Sequence, residues 1–349
     1  MEFRPPGSLM LTEIQEQPAV LNNLIDSAGS ALHKVAEHAR GCRFAVLVAR
    51  GSSDNASTYG KYLLEGLAGL PTALASPSLF TLYHTPPRLA DALVIGVSQS
   101  GQAADVVEVV HQARRQGALT LAITNTPDSP LAEAAEHVLL LEAGVEKALA
   151  ATKTVTTECV AYALLATTIT QNVDLFDGLH RLPDAISSVL AQEDHITTLA
   201  REWLEAERTI ILGRGYSYGA AQESALKLKE TCYINAESFS AADFMHGPLA
   251  IIEPGYPVLA LLSHDATQDA MLALIRQVQS RGARVVTFAT RQAAPLPENG
   301  RVLNVECSTA LLSTIPFIVA GQLFAMHLSV MKGFDPDISR GLHKVTITL

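Results

Sequence analysis

The chain has 349 residues, of which 48% are hydrophobic and 17% charged, and its formal net charge is −10 at pH 7. This composition suits one large core or two domains of ordinary size, and it excludes a largely disordered chain. The acidic balance argues against non-specific binding of nucleic acid, although a local site for a small phosphorylated molecule remains compatible with it.

The sequence indicates a soluble protein in a reducing compartment. The chain opens with MEFRPPGS and has no charged-then-apolar leader, and polar residues interrupt the apolar stretches around Val160 and Phe317. The four cysteines are far apart and include no CxxC pair, which favours unpaired thiols. We therefore expect a cytoplasmic protein.

The predicted elements alternate between strands and helices. A helix near residues 11–38 is expected to pack on the outside, and five strands follow near 44–49, 72–75, 92–98, 119–123 and 137–141. Their continuous Val, Ile and Leu runs, alternating with amphipathic helices, indicate parallel strands that are buried on both faces. A helical region over 151–200 comes next and includes a break at Pro183.

The second half of the chain repeats the plan of the first. The segments RFAVLVARGSSDNAS and RTIILGRGYSYGAAQ both read as a strand, an Arg-Gly pair, a small polar loop and a helix. Gly51 matches Gly215, 164 positions later, and the helix-ending Gly117 matches Gly282, 165 positions later. A duplication is the economical explanation, and it predicts a second set of parallel strands and helices.

The turn after the strand at 92–98 has the composition of a phosphate site. The run ALVIGV ends in Ser98, Gln99, Ser100 and Gly101 just before a predicted helix. First-turn helix amides have no intrahelical partner, the helix dipole favours an anion there, and glycine allows close approach. Ligands of parallel sheets bind beyond the carboxyl ends of the strands. The matching turn in the second half reads SHDA, whose aspartate would repel phosphate, so we expect one phosphate site per chain.

The motifs SQSG, ALKLKE and HGPLA occur in this order within the repeated halves, and together they resemble the SIS (sugar isomerase) domain family. The resemblance runs from LTEIQEQP to GLHKVT and is closest to the isomerase half of glucosamine-6-phosphate synthases and to SIS-type glucosamine-6-phosphate deaminases. It implies an α/β fold of two tandem SIS domains, each a parallel five-stranded sheet flanked by helices in a three-layer α/β/α, flavodoxin-like arrangement. The expected parts are an N-terminal helical segment at 1–38, SIS domains at 39–175 and 201–335, a helical linker at 176–200 and a C-terminal active-site tail at 336–349.

The resemblance also implies which residues bind the substrate. The phosphate-binding positions of the family fall on Ser98, Gln99, Ser100, the backbone at Ala103, and Ser52 and Ser53. The family's contacts to the sugar fall on Leu149 and Ala150.

Catalytic roles are carried over in the same way. The family's general base falls on Glu230, the preceding motif lysine on Lys227, the ring-opening histidine on His246 and the C-terminal active-site lysine on Lys344. In the family, the histidine reaches the sugar from the neighbouring subunit. One carboxylate suffices to move a proton between C1 and C2, and a histidine suits ring opening near neutral pH. The lysine can stabilise a developing oxyanion.

Residue types alone leave simpler interpretations open. ALKLKE is also typical of an ordinary amphipathic helix with Lys227, Lys229 and Glu230 in solvent. A histidine before Gly-Pro is typical of a turn, and a lysine such as Lys344, close to the C-terminus, is typical of a solvated tail. The spacing of the histidines indicates no metal site, and we expect no metal or other cofactor.

Local departures favour the deaminases over the synthases. ARGSSDNAS stands where synthases have a CGTS-like turn, Gln102-Ala103 replaces the usual Glu-Thr, and GVEKALAATK replaces a GTExGVASTK-like run. The chain enters the isomerase-like region directly, so we expect no glutaminase domain. The implied reaction converts glucosamine 6-phosphate and water into fructose 6-phosphate and ammonia.

Several alternatives remain open at this point. They are another phosphosugar isomerase, deaminase or deglycase acting on galactosamine 6-phosphate or a sugar-amine adduct, a glutaminase-less relative of glutamine:fructose-6-phosphate amidotransferase, and a non-catalytic phosphosugar sensor. The expected partners are a small-molecule 6-phosphosugar and a second copy of the chain in a homodimer with shared active sites. We expect neither nucleic acid nor a membrane as a partner.

Overall fold

The structure is a computed structural model that describes residues 4–293, 301–338 and 340–341. Its α-helices, in chain order, are α1 Ser8–Gln15, α2 Gln17–Ser27, α3 Gly29–Ala39, α4 Ser52–Gly66, α5 Ser78–Thr81, α6 Ala104–Arg115, α7 Pro130–Ala134, α8 Lys153–Thr170, α9 Val173–His180, α10 Leu182–Leu190, α11 Glu193–Arg201, α12 Tyr218–Cys232, α13 Ala241–Met245, α14 Gln268–Ser280 and α15 Thr314–Met331. Short 3₁₀ turns occupy Gly215–Ser217, Pro248–Ile251 and Ala310–Leu312.

The strands form two parallel sheets, each flanked by helices. They are β1 Phe44–Val48, β2 Thr72–Leu74, β3 Ala92–Val97, β4 Leu119–Thr124, β5 His137–Leu140, β6 Arg208–Gly213, β7 Asn235–Ser240, β8 Pro257–Leu262, β9 Arg284–Thr290 and β10 Val302–Val305. The sheet orders are β2-β1-β3-β4-β5 and β10-β9-β8-β6-β7. Read from β7, the second order repeats the first strand for strand, and both are the flavodoxin-like order. The predicted α/β fold class is confirmed, as are the five strands of the first half.

The sequence pattern of each element follows from its surroundings. Every residue of β3 is buried, because a parallel strand is covered by helices on both faces. α6 instead buries one stripe that includes Val106, Val109 and Val110, and the chain leaves the helix through Gly117 at φ +84°.

The duplication is visible in the backbone as well as in the strand order. Gly51 and Gly215 have φ values of +58° and +61°, and Gly117 and Gly282 have +84° and +85°. These left-handed conformations are readily accessible only to glycine, so each copy turns out of its strand or its helix in the same way. The glycine pairs matched in the sequence are therefore equivalent in structure.

The chain divides into two compact units. The N-terminal sheet unit comprises Ala19–Glu146 and Lys153–His180, and the C-terminal sheet unit comprises the described residues up to Pro18, Lys147–Thr152 and Arg181–Gly341. Each sheet unit has its own apolar core, built around β3 and α6 in the first and around β8 and α14 in the second.

Two helical expectations need correction. The segment predicted as one helix near 11–38 is divided into α1, α2 and α3, in which Ile14 and Leu21 are fully buried. The apolar stretch around Phe317 does reach the length of a membrane span: residues 310–331 are long and apolar enough to cross a membrane, although Gln322 and His327 lie within them. However, 89% of an 18-residue stretch within this helix is buried inside the protein, as in a core helix.

Candidate active site

The candidate phosphate site lies at the point of the first sheet where the strand order reverses. β1 and β3 are neighbours in this sheet, and the crevice beyond their carboxyl ends is where flavodoxin-like folds bind ligands. Ser52 follows β1, and Ser98 follows β3 directly. We call Ser52–Ser53 and Ser98–Ala103 the serine cradle.

The loop of the cradle that follows β3 is fixed by backbone hydrogen bonds. Ser98 donates its amide to the Ile123 carbonyl at 3.1 Å, and Gly101 donates its own to the Ser98 carbonyl at 3.1 Å. Gly101 has φ +64°, and a Cβ there would lie 2.2 Å from the Ser129 Oγ. Only glycine fits this position. The Ser100 Oγ accepts a bond from the Gln102 amide at 3.3 Å, and a hydroxyl that accepts one bond keeps its proton to donate.

The helix after this loop begins without a side-chain cap. Ala103 is the N-cap of α6 and has extended backbone, but its methyl group cannot accept or donate a hydrogen bond. The N-terminus of this 12-residue helix therefore presents amides and the positive end of the helix dipole. Both features favour an anion at this end.

The other wall of the cradle is the first turn of α4, and its two serines differ. Ser52 is half-buried, whereas Ser53 is buried and donates its hydroxyl to the Glu158 carboxylate at 2.8 Å. One turn later, Ser57 and Tyr162 share a hydrogen bond of 2.9 Å, and burial raises the pKa of the Tyr162 hydroxyl. Because the Ser53 proton is directed at Glu158, the backbone is what Ser53 can offer a ligand.

The segment that carries Leu149 and Ala150 is anchored within the C-terminal sheet unit. The buried Glu13 carboxylate accepts the amides of Lys147 and Ala148, and the Gln322 amide donates to the Thr152 carbonyl at 3.0 Å. These bonds fix both ends of the segment. Leu149 is half-buried and Ala150 is buried.

A buried ammonium lies between two carboxylates on α12. The Lys227 Nζ is 2.6 Å from the Glu230 Oε2 and 3.2 Å from the Glu223 Oε1. The side chains of Lys227 and Glu223 are each 1% exposed, whereas that of Glu230 is 24% exposed. Burial alone would lower the pKa of Lys227, but Glu223 and Glu230 outweigh it and hold the pKa above its usual value. Lys227 thus stays charged and is not in solvent; Glu230 is the member of the cluster with an open side.

His246 occupies a very different environment. It follows α13, is exposed, and donates its amide to the Asp243 carbonyl at 3.0 Å. The next residue, Gly247, has φ +137°, a conformation that other residues rarely adopt. The imidazole is therefore presented on the surface by a sharp turn. Lys344 lies outside the described residues.

Comparison with known proteins gives the family. The model of the SIS domain matches residues 40–168 and 204–327, one segment in each half of the chain. The chain belongs to the SIS domain family. The glutamine–fructose-6-phosphate aminotransferase (isomerizing) of Gloeobacter violaceus is 37% identical over an alignment that covers 99% of the chain. The chain spans 59% of the length of that relative.

Solved structures of SIS domain proteins superpose well. The C-terminal domain of the glucosamine-fructose-6-phosphate aminotransferase from Francisella tularensis matches with a TM-score of 0.87 and 28% identity, covering 94% of the chain and 97% of the domain. A protein from Silicibacter pomeroyi DSS-3 assigned as a phosphosugar isomerase matches with a TM-score of 0.85 and 35% identity. The match covers 94% of the chain and 99% of that protein. The glucosamine-6-phosphate deaminase of Thermotoga maritima matches with a TM-score of 0.77 and 21% identity, covering 98% of the chain and 100% of the deaminase. At this level of identity, the match supports a shared fold alone.

In the second SIS domain, the turn that corresponds to the cradle is filled by its own side chains. The hydroxyls of Ser217, Ser263 and Ser313 are buried and form a chain with Oγ–Oγ distances of 2.8 and 2.7 Å. Asp265 accepts from the amide and the hydroxyl of Thr267. The donors of this turn thus satisfy one another, and a carboxylate is added. The expectation of one phosphate site per chain stays a prediction.

Sequence reasoning missed two carboxylates that organise these sites. Glu223 precedes Lys227 by four residues on α12, a spacing that brings side chains together on one helix face and that could have revealed the pair. Glu158 lies 105 residues from Ser53, so nothing in the local sequence indicates their contact. Among the described residues, no group of three or more His, Cys, Asp or Glu side chains could hold a metal ion.

Proposed function

We propose that this SIS domain protein is a phosphosugar enzyme that isomerises glucosamine 6-phosphate and releases its amino group, giving fructose 6-phosphate and ammonia. The observation that carries the proposal is the buried Lys227 ammonium, which contacts a half-buried carboxylate, Glu230, at 2.6 Å. This pair provides the acid–base group that the reaction needs. The serine cradle provides the site for the phosphate.

In the proposed reaction, His246 first transfers a proton that opens the sugar ring. The Glu230 carboxylate then takes the proton from C2 and returns it to C1. With a second proton passing from the amino nitrogen to the C1 oxygen, the 2-amino aldose becomes the 2-imine of the ketose. Water adds to the imine carbon, and the carbon–nitrogen bond breaks to release ammonia and leave the ketose. One carboxylate can serve both proton transfers, because the proton that it gains at C2 is the one that it delivers to C1.

Lys227 supports this cycle by holding the Glu230 carboxylate in place. The Lys227 ammonium lies 2.6 Å from the Glu230 carboxylate and fixes its position, and Glu223 in turn keeps the ammonium charged. Because Lys227 is buried and pinned by both carboxylates, we assign it a positioning role. For Lys344 we propose stabilisation of the negative oxygen that develops as C2 loses its proton.

The first test is product analysis with purified protein. Incubation with glucosamine 6-phosphate is expected to yield ammonia and fructose 6-phosphate in equal amounts. Glu230→Gln removes the proton acceptor with little change in shape, so turnover should fall by about 10²- to 10⁴-fold. Ketose without ammonia would replace the deaminase with a simple isomerase. Full activity of the Glu230→Gln protein would contradict the assignment of the base.

A second candidate function is the reverse reaction, in which fructose 6-phosphate and ammonia give glucosamine 6-phosphate. The 37% identity to an isomerizing aminotransferase favours it. The departures at Ala103 and in the ARGSSDNAS turn favour deamination. Initial rates measured in both directions at fixed concentrations of sugar phosphate and ammonium separate the two. Galactosamine 6-phosphate in the same assay tests which amino sugar is preferred.

We also propose that the enzyme is a homodimer in which His246 serves the neighbouring subunit. The exposed His246 and the exposed apolar side chains of Met245 and Ile251, which are close to it in the sequence, support this arrangement. Mixing Glu230→Gln with His246→Ala subunits should restore activity, because a mixed dimer has one site with both native residues. If half of the dimers are mixed, about a quarter of the wild-type activity should return. No recovery after verified subunit exchange would argue against shared sites.

A further inference from the structure

An arginine at the end of β1 lies beside the serine cradle. β1 pairs with β3 in a parallel register that matches Val48 to Gly96. Continued for two residues, this register places Arg50 opposite Ser98, and neighbouring strands are about 5 Å apart. Arg50 is therefore at the edge of the crevice where the phosphate is proposed to bind.

The guanidinium of Arg50 is held in a fixed orientation by a buried carboxylate. Its Nε donates to the Asp105 Oδ2 at 2.7 Å, and its Nη2 lies 2.6 Å from the same oxygen. Asp105 is in the first turn of α6, the helix whose N-terminus closes the cradle, and its side chain is 1% exposed. The Arg50 side chain is 53% exposed. A guanidinium has five N–H groups, so two on Asp105 leave three for a ligand.

The second SIS domain retains the residue types but not this burial. Arg214 and Asp269 stand 164 positions after Arg50 and Asp105, yet Asp269 is exposed in the first turn of α14. A buried carboxylate needs a charged partner, and Arg50 is the partner of Asp105. This buried ion pair therefore belongs to the domain that has the cradle. The copy whose turn is filled by its own serines lacks a buried aspartate at the matching position.

A second carboxylate faces Arg50. Asp54 lies in the first turn of α4, where burial raises its pKa and the Arg50 charge lowers it. Burial therefore disfavours the charged form of Asp54, which is the form that would repel an anion. With Asp105 already paired, the exposed side of the guanidinium is the polar surface that Arg50 offers to a ligand.

We propose that Arg50 is a direct ligand of the substrate phosphate and that Asp105 positions it. This inference rests on the proposed function, because it concerns the same phosphosugar site. Arg50 provides a charged donor in a cradle whose N-cap, Ala103, lacks a hydroxyl. Two donors of one guanidinium can bind two phosphate oxygens, a geometry that a single hydroxyl cannot offer.

The test measures binding rather than turnover, with inorganic phosphate and fructose 6-phosphate as probes. Isothermal titration of Arg50→Gln is expected to show affinities for both probes that are about 10- to 100-fold weaker, as for the loss of a charge-assisted hydrogen bond. Arg115→Gln makes the same charge change at the exposed C-terminal end of α6, and its affinities should remain those of the wild type. Arg50→Lys keeps the charge but loses the two parallel donors of the guanidinium, so its affinities should lie between those of the wild type and Arg50→Gln.

Arg50→Gln leaves the buried Asp105 charge unpaired and can unfold the protein, so Arg50→Gln/Asp105→Asn is measured as well. This double variant removes the charge at both positions, and it should fold and bind both probes as weakly as Arg50→Gln. Wild-type affinity in the folded double variant would overturn the proposal, as would a wild-type protein that binds neither probe. Weakened binding in a protein that releases no ammonia would uphold Arg50 and reject the deaminase.

Discussion

Replacing Glu223 with glutamine is expected to destabilise the C-terminal sheet unit strongly while leaving the surface unchanged. Glu223 and Lys227 are each 1% exposed, and their charged atoms are 3.2 Å apart. Removing one partner of a buried ion pair typically costs about 3–5 kcal/mol, because the other charge stays buried. Glu230 still contacts Lys227, so the lower end of that range applies. For a unit of this size, about 3 kcal/mol corresponds to a fall in melting temperature of roughly 6–12 °C.

The assay is thermal unfolding followed by circular dichroism, with Glu205→Gln as the matched control. Glu205 is exposed in the same sheet unit, so this variant should melt with the wild type. Adding Lys227→Met to Glu223→Gln removes the unpaired charge and should restore most of the lost stability without restoring activity. The reasoning is refuted if Glu223→Gln melts like the wild type, or if the added methionine destabilises the variant further.

Two further predictions concern the cradle and the pH dependence of stability. Gly101→Ala places a Cβ 2.2 Å from the Ser129 Oγ at φ +64°, so it should cost at least about 2 kcal/mol and weaken phosphate binding. In the control variant Gly29→Ala, the added Cβ meets nothing within 4 Å, so stability and phosphate affinity should hardly change. Urea unfolding measures the stability of both variants, and phosphate titration measures their affinity. Burial lowers the pKa of His327 below its ordinary 6.5, although Glu193 opposes the shift. The unfolded chain therefore binds this proton more readily, so the associated stability is present above about pH 6.5 and lost below it. His327→Gln should flatten that part of the urea-unfolding profile between pH 7.5 and 5.5, and an unchanged slope would contradict the assignment.

The local sequence contained enough information for the sheets but not for the ion pairs. An unbroken apolar run such as β3, ended by turn residues, is typical of a strand covered on both faces, and Gly51 and Gly215 identify equivalent turns. The burial of Lys227 could not be read in this way, because charged residues on a helix usually face solvent. This lysine is buried because other elements, α15 among them, pack against α12. The local sequence pattern does not indicate which elements do so.

Contacts over long sequence distances were equally hidden. Glu13 binds amides 134 and 135 residues later, and this bond fixes the segment that carries Leu149 and Ala150. The motif LTEIQEQP identified the region by resemblance alone. The division of the predicted N-terminal helix into three has the same origin, since the breaks depend on what each part packs against.

The serine chain of the second SIS domain has a thermodynamic consequence. The hydroxyls of Ser217, Ser263 and Ser313 already bond to one another, so a ligand would add little to the stability of that unit at this turn. In the cradle, Ser100 is half-exposed, and its hydroxyl can bond to a ligand. A ligand at one hundred times its Kd would add about 2.7 kcal/mol to the unit that binds it. Phosphate should therefore act as a selective thermal protectant, raising the melting of the N-terminal sheet unit first.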